Sequence, residues 1–184
     1  MHGNQPVRII EAYRDYEPSL NVVKMIRQLI DIVPEQYCRG LDCIILDNFS
    51  GLPRHQRMGS HISRKRKLAK SHAAGFYRQE WNGTPASIVL HVDNIIEGAK
   101  RSKLPLWLPI TRDFWFGAVL YHELGHHIHR VMKPEFRERE DVADHWRAKL
   151  LGNWLRKRYW YALPFVLPIY KAYRLIKKRR TRHN

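Results

Sequence analysis

The chain has 184 residues, 44% of them apolar and 11% aromatic, which suits one folded domain with its own core and excludes a disordered protein. Its formal net charge of +16 is unevenly spread: residues 54–70 hold seven Lys or Arg, residues 154–184 hold ten, and neither stretch contains an acid. The remainder is close to neutral, so a near-neutral core carries two cationic appendages, and such appendages attract polyanions, either nucleic acid or an anionic membrane surface.

The opening MHGNQPVRIIEAYRDYEP has charges every few residues and no apolar centre of a signal peptide, which points to a cytoplasmic protein, peripheral to membrane or nucleoid if its basic segments engage one. Residues 20–33 place Val23, Ile26, Ile30 and Val33 near helical spacing and predict a helix that covers a sheet. Residues 41–49 (LDCIILDNF) predict a strand, residues 73–77 a weaker one, and residues 87–96 (SIVLHVDNII) the strongest, with Asn82-Gly83 as a turn signal between the last two. Cys38 and Cys43 are the only cysteines, and without a second pair they do not form a zinc knuckle. Between the first two strands, residues 50–71 mix Gly, Pro and Ser with bases and predict a flexible insertion.

From residue 111 the chain is free of proline until Pro134 and predicts a long helix, capped by Thr111 or Asp113. A second, acidic helix follows the break at Lys133-Pro134. The sequence thus divides into a domain at 1–153 and an aromatic, basic segment at 154–184. In that segment the longest uncharged run, 159–170, has 12 residues where a spanning helix needs roughly twenty, so it cannot cross a bilayer as a simple helix.

The long predicted helix contains His122-Glu123-Leu124-Gly125-His126. Residues four apart lie on one helix face, so His122 and His126 can offer imidazole nitrogens to one cation, for which zinc is the natural guest. Glu123 flanks the ion without binding it and is placed to take a proton from water, which points to amide hydrolysis. The longer metzincin pattern is excluded, because His129 and Met132 stand where it needs Gly and His. A tetrahedral site with one corner for water needs a third protein ligand. The acidic helix offers Glu140, with Glu138, Asp141 and His145 as rivals, and Asp144 one turn beyond Glu140 can accept the free ring proton of a ligating histidine. His129 reads as a polar helix-end group or a substrate contact, and His127, about 100° round the helix from its neighbour, reads as exposed. His91, Tyr77 and Tyr121 are candidates for oxyanion or substrate contacts, each with packing as the competing role.

The segments GFYRQEWNGTPASIVLHVDN, FGAVLYHELGHHIH and EREDVADHWRAKLL together resemble the ImmA/IrrE-type zinc metallopeptidases over about residues 72–151. The specific elements are HELGH and the ExxAD triplet of Glu140, Ala143 and Asp144. The resemblance implies an α+β fold of the zincin-like, gluzincin-like minimal metallopeptidase type. It implies a small twisted sheet of about three strands, an HExxH helix and a following acidic helix. By the same resemblance His122, His126 and Glu140 are the Zn2+ ligands, Glu123 is the general base, and the substrate is a protein such as a DNA-binding regulator. The chain departs from the family pattern in a short His126-to-Glu140 spacing, in Leu150-Leu151-Gly152-Asn153 at the end of the acidic helix, and in the basic insertion.

The expected activity is therefore a zinc metallo-endopeptidase whose extended substrate pairs with a free edge of the strand at 87–93. The competing expectation is a catalytically silent protein of the same fold that binds nucleic acid or anionic membrane through residues 54–70 and 154–184.

Overall fold

The computed structural model describes residues 6–53, 57, 60–63, 66–69, 73–102, 105–132 and 139–162. The apolar runs of the sequence form a four-stranded sheet in the order β1-β2-β6-β5, built from β1 (Arg8–Glu11), β2 (Leu41–Asp47), β5 (Gly75–Arg78) and β6 (Ala86–His91). A separate antiparallel pair, β3 (Ser60–Ser63) and β4 (Arg66–Ala69), lies in the stretch expected to be a flexible insertion. Four helices are described: α1 (Val22–Ile30), α2 (Val92–Arg101), α3 (Pro109–Met132) and α4 (Glu140–Arg158). The class is α+β, as expected, but the sheet has four strands rather than about three. The extra strand, β1, is four residues of mostly exposed sequence at the sheet's edge, too short and too charged to stand out by alternation.

β1, β2 and β6 are parallel, and β5 turns back antiparallel to β6. The β5–β6 connection uses the expected Asn82-Gly83 signal: φ is 46° at Asn82 and 77° at Gly83, and Trp81 pairs with Thr84 across the turn. Positive φ at both central positions is the geometry that suits the twist of a two-residue hairpin. Two expectations about the strongest strand fail here. The strand ends at His91, because Val92, Ile95, Ile96 and Ala99 are buried at helical spacing and continue as α2. Nor does it have a free edge, since β6 is paired to β2 on one side and β5 on the other; the edge strands are β1 and, next to β6, β5.

α1 buries Val22, Met25, Ile26, Leu29 and Ile30, a repeat that turns one stripe toward the core, and Asn21 caps it by accepting from the Lys24 N–H at 2.9 Å. α3 starts two residues before the expected caps. Pro109 occupies the first turn, where a missing N–H costs nothing, and Leu108 O accepts from the Thr111 and Arg112 N–H groups. Asp113 is instead buried inside the helix, accepting from the Tyr159 hydroxyl at 3.0 Å and from Arg112 Nε at 3.2 Å. That contact bears on the boundary expected at 153/154: α4 runs through it, and Trp154 and Tyr159 are buried in the same core as the sheet. Residues 163–184 lie outside the described residues.

α3 is the central helix. One side packs on the sheet, where a Cβ added at Gly75 would lie 3.0 Å from Val119 and the Tyr77 hydroxyl lies 3.2 Å from His127 Nδ1. The other side packs on α4, with Gly117 beside Leu151, Gly125 against Ala143, and Asp113 bonded to Tyr159. Rising positions on α4 meet falling positions on α3, so the two helices are antiparallel.

Candidate metal centre

The crossing of α3 and α4 decides which side chains meet. A Cβ built on Gly125 would stand 2.8 Å from both Cα and O of Ala143 and 3.1 Å from Cβ of Trp146, so only glycine allows this approach of the two backbones. Real carbon atoms in contact keep about 3.5–4.0 Å. Gly125 lies three residues beyond His122 and one before His126, and Ala143 lies three beyond Glu140 and one before Asp144. Closing the helices at these two small residues therefore brings the His pair and the acidic pair together. Sequence reading singled out the histidines but missed this function of Gly125 and Ala143; the available signal was a small residue in each motif at the same offset from its ligand.

At the crossing, His122 Nε2 is 3.3 Å from His126 Nε2 and 3.5 Å from Glu140 Oε2. The donor atoms of His122, His126 and Glu140 all lie within 4.8 Å of one another, forming a group that could hold a metal ion. Bonds of about 2.0–2.2 Å at the tetrahedral angle put neighbouring ligand atoms roughly 3.3–3.6 Å apart, so the two edges at His122 already have the dimensions of such a site. Two imidazoles and a carboxylate are also the right chemistry for a borderline divalent ion. The imidazole planes stand at 87° with centroids 4.8 Å apart, so the rings meet edge to face rather than stacked.

Behind His122, Nδ1 is 3.3 Å from Oδ1 of Asp144, and the same oxygen is 3.1 Å from Arg147 Nη2. The arrangement fixes the ring so that Nε2 faces Glu140 and His126. Two of the three rivals for the third position are turned elsewhere. Asp141, one residue round the helix, is exposed and forms a two-pronged pair with Arg139 at 2.6 and 3.0 Å. His145 is exposed, its ring against Trp146. Glu138 lies outside the described residues.

Glu123 is buried, 8% exposed. It sits midway between Val119 and His127 at spacing of four, and both of those neighbours face β5, so Glu123 lies on the side of α3 beneath that edge strand. α3 thus has α4 with its carboxylate on one side and β5 on the other, and Glu123 lies on the β5 side.

His127 corrects the expectation of exposure: it is 1% exposed. A turn of 100° away from His126 takes it under the sheet rather than into solvent, because α3 is covered on two sides. Burial pushes its pKa below the usual imidazole value, partly offset by the bond to Arg39 O, so the ring is neutral. Nε2–H donates to Arg39 O at 3.0 Å, and Nδ1 accepts from the Tyr77 hydroxyl. Beside them a cavity of about 420 Å³, lined among others by Tyr77, Trp81, His127, Arg130 and Val131, opens at the C-terminal end of α3. His129 is likewise buried rather than a surface group at the helix end.

The remaining candidates lie elsewhere. Tyr121 is fully buried and donates its hydroxyl to Leu29 O at 2.9 Å; burial raises its pKa, so the phenol stays protonated and serves the α1–α3 contact. His91 is on the opposite face of the sheet from α3: its neighbour Leu90 is in the core, and alternation turns His91 away. There its Nδ1 lies 2.6 Å from Asp47 Oδ1, and its ring is flanked by Phe49 and Phe76. Neither residue reaches the His122–His126–Glu140 group.

No protein-family model matches the chain, and neither a curated protein nor a solved structure matches it.

Proposed function

We propose that the chain is a zinc-dependent metallo-endopeptidase with a zincin-like fold, acting on an extended segment of a protein substrate. The observation that carries this reading is the convergence of His122, His126 and Glu140, with donor atoms within 4.8 Å of one another and both edges at His122 Nε2 of tetrahedral length, next to a buried Glu123. His122, His126 and Glu140 would hold the ion, and Asp144 would orient His122 by accepting its Nδ1 proton. Zinc, when bound, polarises a carbonyl and brings the pKa of its water down to about 7.

Glu123 accepts a proton from the attacking water and delivers it to the departing amide nitrogen. A carboxylate suits both steps because it is a weak enough acid to hold the proton briefly and a strong enough one to give it up. Its burial limits exchange of that proton with bulk water. The substrate strand pairs with the outer edge of β5, so main-chain hydrogen bonds supply affinity and position the scissile bond over Glu123. The cavity by Tyr77 and Arg130 then receives a substrate side chain and contributes selectivity.

The test is metal content together with cleavage of a denatured-protein or peptide-library substrate by the wild type and by Glu123→Gln. One zinc per chain in both proteins, with products only from the wild type, supports the peptidase. A protein that folds without binding zinc and yields no products overturns it in favour of a silent protein of the same fold, and activity that survives Glu123→Gln overturns the role given to Glu123.

A further inference from the structure

The last described turn, Trp160–Ala162, treats its aromatic residues in two different ways. Tyr159, at the end of α4, is turned inward: it is 7% exposed, bonded to Asp113 at 3.0 Å and packed edge-on against Trp154. This anchor fixes where the chain leaves the core. The next two rings are turned outward, Trp160 being 69% and Tyr161 59% exposed, with centroids 6.3 Å apart. Immediately before them, Arg156, Lys157 and Arg158 form the exposed last turn of α4. Near the start of α3, the helix that carries Asp113, Trp107 and Phe114 are exposed as well. Adjacent exposed aromatics of this size on a folded chain mark a surface that another phase or partner covers.

The sign of the charge restricts the partner to an anion. Residues 154–184 contain ten Lys or Arg and no acid. Nucleic acid and an anionic bilayer both satisfy that, and the aliphatic content separates them. After Ala162 the sequence continues with the aliphatic Leu163, Val166, Leu167 and Ile169, interspersed with Pro164, Phe165, Pro168 and Tyr170, before the bases resume at Lys171. Nucleic-acid grooves gain from cations and from flat rings that stack on bases. A run of branched aliphatic residues adds nothing there, whereas the boundary between headgroups and acyl chains takes up aliphatic side chains below a layer of Trp, Tyr, Lys and Arg. The uncharged run of 12 residues is too short to cross a bilayer, for which roughly twenty are needed. No helix among the described residues is long and apolar enough to do so either.

We infer that the C-terminal end of α4, from Arg156 through Tyr161, docks the protein on the surface of an anionic phospholipid bilayer. Trp160 and Tyr161 enter the headgroup layer, and the flanking bases provide attraction to lipid phosphates. Tyr159, held by Asp113, sets the orientation of the body relative to that surface. The docking is independent of the metal centre.

The experiment is flotation of the full-length protein with vesicles of phosphatidylcholine alone and of phosphatidylcholine mixed with phosphatidylglycerol, with tryptophan emission recorded in parallel. Binding to the mixed vesicles alone is expected, with a blue shift. Trp160→Ala/Tyr161→Ala should weaken it about tenfold, given two interfacial rings lost. Arg156→Glu/Lys157→Glu should weaken it roughly fivefold or more per residue. All four positions are exposed, so an unchanged melting temperature confirms that the variants fold. Glu123→Gln should bind as the wild type does, which keeps this test separate from that of the peptidase. Equal binding to neutral vesicles, binding to neither, or an aromatic variant that binds undiminished overturns the inference. So does a protein that ignores vesicles and retains single- or double-stranded DNA, which would assign the same residues to nucleic acid.

Discussion

Replacing Gly125 by alanine puts a methyl group 2.8 Å from Cα and O of Ala143, where contact distances of about 3.5–4.0 Å are required. The obstacle is backbone, so no side chain on α4 can swing aside, and the helices must separate locally by about 0.7–1.2 Å. Glu140 travels with α4 and His122 stays with α3, so their 3.5 Å separation grows. At roughly 4.2–4.7 Å it reaches the limit of two bonds of about 2.2 Å in a straight line, well outside tetrahedral geometry. Stability changes little by comparison. Alanine gains about 1 kcal/mol of helix propensity over glycine. Overpacking costs about 1–3 kcal/mol. Zinc affinity should fall by about a hundredfold, at the upper end of what distorting a ligand's support does, while the circular dichroism melt shifts by only a few degrees. Competition against a chromogenic chelator measures the first quantity. Adding Ala143→Gly should not restore affinity, because the methyl meets the backbone of residue 143 and not its side chain. A folded Gly125→Ala protein with wild-type zinc affinity would refute the claim that this helix approach sets the site.

Other perturbations separate ligand, base and scaffold. Glu123→Gln should keep zinc and lose about 10²–10⁴-fold in turnover, the usual value of a positioned general base. Asp144→Asn should weaken zinc binding about 10–100-fold, read by the same chelator competition, because His122 loses the carboxylate that orients it. Chelation should lower the melting temperature and zinc should restore it in a concentration-dependent way, since the ion binds only the folded arrangement. Tyr159→Phe leaves the buried Asp113 with one fewer donor and should cost about 1–3 kcal/mol, measured by urea unfolding. Burial, with Asp113 second, pushes the Tyr159 pKa up to about 12. The folded state therefore keeps a proton that the unfolded chain releases near pH 10, so stability should fall as pH rises from about 10 toward 12. Tyr159→Phe should flatten part of that slope.

Local pattern made much of this chain legible. Helix α1 and strand β2 follow from apolar spacing that burial later used, α3 from its proline-free length, and the Asn82-Gly83 turn from the two residues that best tolerate positive φ. His122, Glu123 and His126 are within one helical turn, so their mutual placement is a local property too. Failures came where a neighbour in space overrode the pattern. Every residue of the strand at 86–91 is buried, so no alternation marks where strand gives way to helix. His127 was read as exposed from its angle on α3, but that angle says nothing about what stands opposite, and β5 stands there.

What the sequence alone determined, then, is the composition of the centre and the helix that bears its first half: donor types, their spacing of four, and the adjacent carboxylate are covalent and helical facts that hold in any fold containing α3. Only the tertiary structure decided that Glu140, and not Asp141 or His145, completes the group, and that β5 rather than β6 offers the edge above Glu123. The physical reason is range. Helix geometry correlates residues over a few positions, whereas Glu140 meets His122 because two small residues, Gly125 and Ala143, let separate helices approach to backbone contact, and that distance is fixed by packing rather than by sequence spacing.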